Sequence, residues 1–141
     1  MKLKIDDNIV KELKEYCKSS PVREVCGAII QSSSKQRLIK MKNIAKEGAI
    51  DYIIDPKDIA SKLGDSDLFV KGSKIKLIGL FHSHPFGQAF PSAIDFRTFA
   101  LPIPYLIYSV RFDELNAFLP IDNESAESIF LEGEKNSWLM K

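Results

Sequence analysis

The chain has 141 residues, of which 45% are hydrophobic and 28% are charged. These proportions are those of one ordinary globular domain with enough apolar residues for a core, so we expect a single domain over residues 1–141. The net charge of +1, from 20 basic and 19 acidic side chains, gives no electrostatic basis for binding nucleic acid or an anionic membrane.

The two cysteines, Cys17 and Cys26, do not form a C-x-x-C motif, which argues against a redox pair or a cysteine zinc site. We expect two reduced, partly buried thiols. The N-terminus lacks the apolar segment of a signal peptide, and no apolar run reaches the roughly 20 residues of a membrane span. The sequence therefore predicts a soluble cytoplasmic protein.

The first half of the chain predicts a helix, a hairpin and a second helix. Apolar side chains recur at helical spacing from Ile9 to Cys17, with Asp6 as the expected N-cap. Strands are predicted at 24–31 and 37–43, joined by a serine-rich tip, and a short strand at 52–54. Asp55 and Pro56 then open a helix that is expected to end at residue 64.

The second half begins with the strongest predicted strand, at 76–84, which is apolar and bounded by turn formers. A loop follows at 85–91, and then a helix at 92–101 that Pro102 stops. Strands are predicted at 105–110, 116–121 and 128–131. Helices alternate with strands but hairpins are mixed in, which favours an α/β fold with a mixed sheet flanked by helices.

The chain has two histidines, which lie two residues apart as His82 and His84. On a strand, residues i and i+2 point to the same face, so two imidazoles about 7 Å apart along the backbone can converge on one metal ion. This pattern alone is weak evidence, because two polar residues at a strand end would also produce it.

Downstream, Ser92 and Asp95 stand at the start of a predicted helix. Ser-x-x-Asp before an apolar helix is typical of a capping box, which needs no chemistry. The two interpretations are compatible, because Asp95 lies one turn into the helix and could face the histidines. Two histidines and one carboxylate leave a fourth zinc position for water, which is the pattern of a catalytic site.

A hydrolase also needs a general base, and Glu24 is the candidate, although an isolated glutamate there could be a solvated strand end. Cys26 should share its face of the predicted strand, because it follows Glu24 by two residues. Apolar packing suits this thiol better than a place as a fourth metal ligand.

Together these residues resemble the JAMM (MPN-plus) zinc metalloproteases. The family motif is Glu, then His-x-His, seven residues, Ser, two residues and Asp. Glu24, His82, His84, Ser92 and Asp95 fill all five positions at the expected spacing. The surroundings match too, with Cys-Gly after the glutamate and Pro after the second histidine. The resemblance extends over about residues 5–120.

The resemblance implies an α/β fold with a curved mixed β-sheet flanked by helices, the JAMM/MPN, cytidine-deaminase-like architecture. It implies one zinc ion held by His82, His84 and Asp95, with a bound water as fourth ligand. Glu24 would take a proton from that water, and Ser92 would hold the oxyanion. The implied reaction is hydrolysis of a peptide or isopeptide bond. Short single-domain relatives act after the C-terminus of a ubiquitin-like or sulfur-carrier protein.

Other functions remain open at this point. Relatives that lack the zinc ligands are non-catalytic MPN scaffold modules, whereas here no ligand and no base is missing. A phage-tail or cell-wall peptidase is a further alternative, because similar motifs occur there. A nucleoside deaminase would need H-x-E and P-C-x-x-C, which are absent, as is H-E-x-x-H.

Overall fold

The computed structural model describes residues 1–43, 45, 75–99 and 101–140. The strand predicted at 52–54, the helix predicted at 55–64 and the loop at 64–74 lie outside the described residues. Within the described part of the chain, no helix is long and apolar enough to cross a bilayer.

Seven strands of the described residues form one sheet, in the order β1-β7-β6-β5-β4-β2-β3. The strands are β1 (Lys2–Leu3), β2 (Cys26–Ser32), β3 (Lys35–Met41), β4 (Ile75–His84), β5 (Tyr105–Ser109), β6 (Glu114–Pro120) and β7 (Ala126–Leu131). The helices of the described residues are α1 (Asp7–Lys18), α2 (Ala93–Thr98) and a C-terminal 3-10 helix (Ser137–Met140).

The sheet is mixed, because β4 pairs with β5 and β1 with β7 in parallel while the remaining neighbours are antiparallel. The predicted α/β fold with a curved mixed sheet and helices is confirmed. β4 lies between β2 and β5, so its C-terminal end, which carries both histidines, is central in the sheet.

Helix α1 follows the predicted apolar spacing and buries Ile9, Val10, Leu13 and Cys17 against the sheet. Asp6 is the N-cap residue, as predicted, but its side chain makes no capping hydrogen bond. Its backbone N–H instead donates to Gln36 Oε1 at 2.7 Å, which ties the helix start to β3.

The predicted hairpin is formed by β2 and β3, and Ser33 turns the chain in the left-handed region at φ 55°. Position 27 on β2 requires glycine, because atoms of both neighbouring strands lie close to its Cα. A Cβ there would lie 2.2 Å from the Ile39 carbonyl oxygen and 2.5 Å from the Phe81 ring. Glycine therefore lets the two neighbours of β2 pack at sheet distance.

Several boundaries differ from the predictions. β3 runs from residue 35 to 41 rather than from 37 to 43, and β6 begins at Glu114 rather than at residue 116. β2 begins at Cys26, not at residue 24, because the main chain at 24 and 25 bonds to the side chains of Asn43 and Ser83. α2 ends at Thr98, and the Phe99 ring then packs on Tyr105 with centroids 4.3 Å apart. β7 starts two residues earlier than expected, and neither β1 nor the 3-10 helix was predicted.

Candidate metal centre

Four buried ionisable side chains meet at the C-terminal end of β4. Glu24 lies just before β2, His82 and His84 end β4, and Asp95 lies in the first turn of α2. β2 and β4 are paired with Cys26 opposite His82, which brings Glu24 beside the histidines. All four residues are at most 8% exposed. One ligand atom from each lies within 4.8 Å of the others.

His82, His84 and Asp95 form a triangle of short contacts. The two histidine Nε2 atoms are 3.2 Å apart. Asp95 Oδ1 lies 3.1 Å from His82 Nε2, and Asp95 Oδ2 lies 2.9 Å from His84 Nε2. Around a tetrahedral zinc ion with bonds of about 2.0–2.1 Å, neighbouring ligand atoms stand about 3.3 Å apart. The donor types and the spacing of these three residues therefore fit a zinc ion.

The capping box predicted from Ser92 and Asp95 is present at the start of α2. Asp95 N–H donates to Ser92 Oγ at 3.1 Å, and Ser92 N–H donates to Asp95 Oδ2 at 2.9 Å. Burial alone would raise the pKa of Asp95. His82 and His84 outweigh burial through their charges and their hydrogen bonds, and they hold this pKa well below its ordinary value. The carboxylate is thus fixed in direction and ionised, as a metal ligand must be.

A backbone carbonyl sets the orientation of the His84 ring. His84 Nδ1–H donates to the Gln88 carbonyl oxygen over 2.7 Å, which leaves Nε2 to face Asp95 and His82. Burial alone would lower the pKa of His84, but the hydrogen bond to Asp95 and its charge outweigh burial and raise it. A carbonyl acceptor on one ring nitrogen is the usual support of a histidine that binds metal through the other.

The main chain of Glu24 and Val25 is held by two side chains, one from the segment just after β3 and one from β4. Asn43 Nδ2 donates to the Glu24 carbonyl oxygen at 2.9 Å. The next residue, Val25, donates its N–H to Ser83 Oγ at 2.9 Å, and Ser83 N–H returns a bond of 2.9 Å to the Val25 oxygen. The serine between the histidines thus faces away from them and fixes the segment that carries Glu24.

The structure brings together all five residues singled out by the sequence, since Ser92 bonds directly to Asp95. Cys26 is not one of the clustered groups. It packs with apolar residues of β2 and β3, and its Sγ lies 3.8 Å from the Met41 oxygen. Sequence analysis missed Asn43, Ser83 and Gln88, because their role depends on contacts between segments that no local pattern encodes.

Residues 7–121 match the family model described as prokaryotic homologs of the JAB domain. The chain is similar to the desampylase of Haloferax volcanii, with 29% identity over 107 residues that cover 73% of this chain and 74% of the relative. It is also similar to a Thermus thermophilus protein named as a probable TtuB-protein conjugate cleaving protease. That identity is 22% over 129 residues, covering 92% of this chain and 83% of the relative.

Solved structures show the same fold. The solution structure of a Desulfitobacterium hafniense protein has a TM-score of 0.73 at 22% identity, covering 91% of this chain and 90% of the other. A JAB1/MPN domain protein from Archaeoglobus fulgidus has a TM-score of 0.56 at 16% identity, covering 93% of this chain and 96% of the other.

Proposed function

The chain belongs to the family of prokaryotic homologs of the JAB domain, the JAMM family, and we propose that it is a zinc-dependent isopeptidase. Its substrates are protein conjugates, and the bond cleaved follows the C-terminus of a ubiquitin-like or sulfur-carrier protein. The observation that carries the proposal is the buried convergence of Glu24, His82, His84 and Asp95 within 4.8 Å. The cytoplasmic location and the single domain over residues 1–141 stay predictions.

The substrate class is supported by the names of two relatives. One is named a desampylase, and the other is named for cleavage of TtuB-protein conjugates. The second name describes cleavage of a protein conjugate, and we take the first to describe a related reaction. The family model spans residues 7–121, a range that contains every residue of the cluster. We therefore favour an isopeptide bond to lysine, with a linear peptide bond as the second substrate.

We assign His82, His84 and Asp95 as the ligands of one zinc ion, with water in the fourth position. The triangle of contacts between 2.9 and 3.2 Å that joins these three side chains supports this assignment. Zinc bound there would polarise the scissile carbonyl and lower the pKa of a water molecule to about 7.

Glu24 is then the general base. Its carboxylate lies within the cluster and the residue is only 3% exposed, so it would stand beside a water held at the cluster and be shielded from bulk solvent. It takes a proton from the attacking water and passes it to the leaving lysine amine as the C–N bond breaks. The bonds from Asn43 and to Ser83 hold its main chain in place for both transfers.

Ser92 is the oxyanion donor in this assignment. Its Oγ accepts the Asp95 N–H in the capping box, so the hydroxyl proton is the group it can offer to a substrate. That proton would be donated to the carbonyl oxygen as negative charge develops on it.

The proposal is tested by incubating the zinc-loaded protein with a ubiquitin-like protein joined to lysine and with a linear fusion of the same protein. Mass spectrometry then locates any cleaved bond. We expect cleavage after the C-terminal glycine of the ubiquitin-like protein, faster for the lysine conjugate.

Glu24→Gln is the matched control, because it preserves the shape of the side chain and removes its basicity. It should bind zinc and cleave neither substrate. Equal cleavage by the wild type and Glu24→Gln would refute the role of Glu24. A wild type that binds zinc but cleaves neither substrate would refute the substrate class and restore the scaffold and cell-wall peptidase alternatives.

A further inference from the structure

Three successive carbonyl groups of the loop at residues 85–91, here called the site loop, are each bonded by a different element. Ser109 Oγ on β5 donates to the Gly87 oxygen at 2.7 Å. His84 Nδ1 on β4 donates to the Gln88 oxygen at 2.7 Å. Asn116 Nδ2 on β6 donates to the Ala89 oxygen at 2.9 Å. The contact that orients His84 therefore lies between two contacts made by residues outside the cluster.

Asn116 is fully buried, and its carboxamide bonds to both the site loop and the C-terminal 3-10 helix. Nδ2 donates to the Ala89 oxygen and also to Ser137 Oγ at 2.8 Å. Oδ1 accepts the Ser137 N–H at 3.1 Å. Ser137 Oγ in turn donates to Glu114 Oε2 at 3.2 Å. The C-terminal 3-10 helix, which lies outside the matched residues 7–121, is thus joined to the site loop through one side chain.

We propose that Asn116 and Ser109 are positioning residues of the metal centre, which fix the site loop so that the Gln88 carbonyl holds His84 in its metal-binding orientation. This inference rests on the proposed function, since it concerns the affinity of the same site for zinc. It adds residues of β5 and β6, and through Ser137 the C-terminal segment, to the support of the site.

The effect is transmitted through a short piece of main chain. Gly87 and Ala89 flank Gln88 directly, so fixing their carbonyl groups restricts the two peptide planes on either side of the Gln88 oxygen. Ala89 is fully buried, so its carbonyl would lack a partner if Asn116 were truncated. The loop would then shift, the acceptor of His84 Nδ1–H would move, and the ring would be free to turn away from Asp95 and His82.

The experiment measures zinc affinity, independently of catalysis, by competition of the purified full chain against a chelator. Asn116→Ala and Ser109→Ala are compared with the wild type. We expect zinc affinity to fall by about 10–100-fold in Asn116→Ala, the range typical of lost support for a metal-binding histidine. Ser109→Ala should weaken it less, because Gly87 is exposed and its oxygen can bond to water.

Asn43→Ala is the matched control. Asn43 also donates from Nδ2 to a main-chain carbonyl at 2.9 Å, but that carbonyl belongs to Glu24, which is not assigned as a ligand. Asn43→Ala should therefore escape the loss of zinc affinity that follows when the support of a ligand is removed. Thermal unfolding of each zinc-free variant measures any general loss of stability. The visible spectrum of the Co²⁺-substituted protein reports the geometry of the site.

Weaker zinc binding and an altered Co²⁺ spectrum in Asn116→Ala, with neither change in Asn43→Ala, would support the proposal. Wild-type zinc affinity in both Asn116→Ala and Ser109→Ala would overturn it and leave the proposed function standing. If Asn116→Ala does not fold, the zinc affinities of Ser109→Ala and Ser137→Ala test the proposal instead, because each change removes only one oxygen. Wild-type affinity in both would overturn it. A wild type that binds no zinc would overturn this proposal and the proposed function together.

Discussion

The Asp95 carboxylate serves two structural demands at once. Its Oδ2 atom accepts the N–H of Ser92 in the capping box and also lies 2.9 Å from His84 Nε2. Its Oδ1 atom lies 3.1 Å from His82 Nε2. The helix start therefore aims the carboxylate at both histidines, so the observed capping box is the same arrangement that the proposed metal binding by Asp95 requires.

Replacement of Ser92 by alanine distinguishes the role of its hydroxyl in the reaction from any role in zinc binding. The donor of the bond to Asp95 Oδ2 is the main-chain N–H of Ser92, which the change keeps, so Asp95 should keep its direction and zinc should stay bound. The oxyanion donor is lost, and we expect kcat to fall by about 100–1000-fold. The lost N-cap should cost about 1 kcal/mol of stability.

Steady-state kinetics with zinc content measured on the same samples checks this expectation. Ser92→Thr is the control, because it keeps a hydroxyl that can cap the helix and donate to the substrate. Full activity in Ser92→Ala would refute the role of Ser92 as oxyanion donor. Loss of zinc would show that Ser92 acts only by positioning Asp95.

Local spacing was sufficient to find only part of the site. His82 with His84, and Ser92 with Asp95, are separated by two and three residues, so strand and helix periodicity relates them directly. Glu24 lies 58 residues before His82, and only the family motif joined it to them. Asn116 was not found, because a buried asparagine in a strand gives no signal until its partners Ala89 and Ser137 are known.

Helix α1 turns one apolar face to the sheet, and the thiol of Cys17 lies in that face with no exposure. Burial, with a smaller contribution from Cys26, raises the pKa of Cys17 from 9.0 to about 12. The folded protein therefore keeps a proton between pH 9 and 12 that the unfolded chain releases.

Stability should consequently fall as the pH rises above 9. Within that window the Cys17 contribution decreases by about 1.4 kcal/mol per pH unit, because the unfolded state binds fewer protons. Urea unfolding at pH 8, 9, 10 and 10.5 measures the slope. Cys17→Ala is expected to have a smaller free energy of unfolding at pH 8 but a shallower decline above pH 9. Parallel declines in the two proteins would contradict the assignment to Cys17.

Elements with strong local signals were predicted well, and the missed ones lack such signals. α1 and β4 are long and strongly patterned. β1 has two residues, which is too short for any periodicity, and it forms because Leu3 and Lys2 pair with β7 at the end of the chain. The premature end of α2 is a tertiary effect of the packing of Phe99 on Tyr105.

The order of strands across the molecule creates the site. β2 and β4 are adjacent although 42 residues, from 33 to 74, separate them in the chain, and β5 pairs with β4 in parallel on the other side. This order places Glu24, the end of β4 and the start of α2 together. Helix and strand patterns indicated a mixed sheet, but they could not order its strands, because that order depends on contacts distant in sequence.

The zinc content of three proteins tests most directly whether the cluster divides into three ligands and one base. Wild type, Glu24→Gln and Asp95→Ala are purified in parallel, equilibrated with zinc, freed of excess ion and analysed for metal per chain. We expect about one zinc in the wild type and in Glu24→Gln, and almost none in Asp95→Ala, because a site with three protein ligands has none to spare. A wild type without zinc, or an Asp95→Ala protein that keeps one equivalent, would contradict the account.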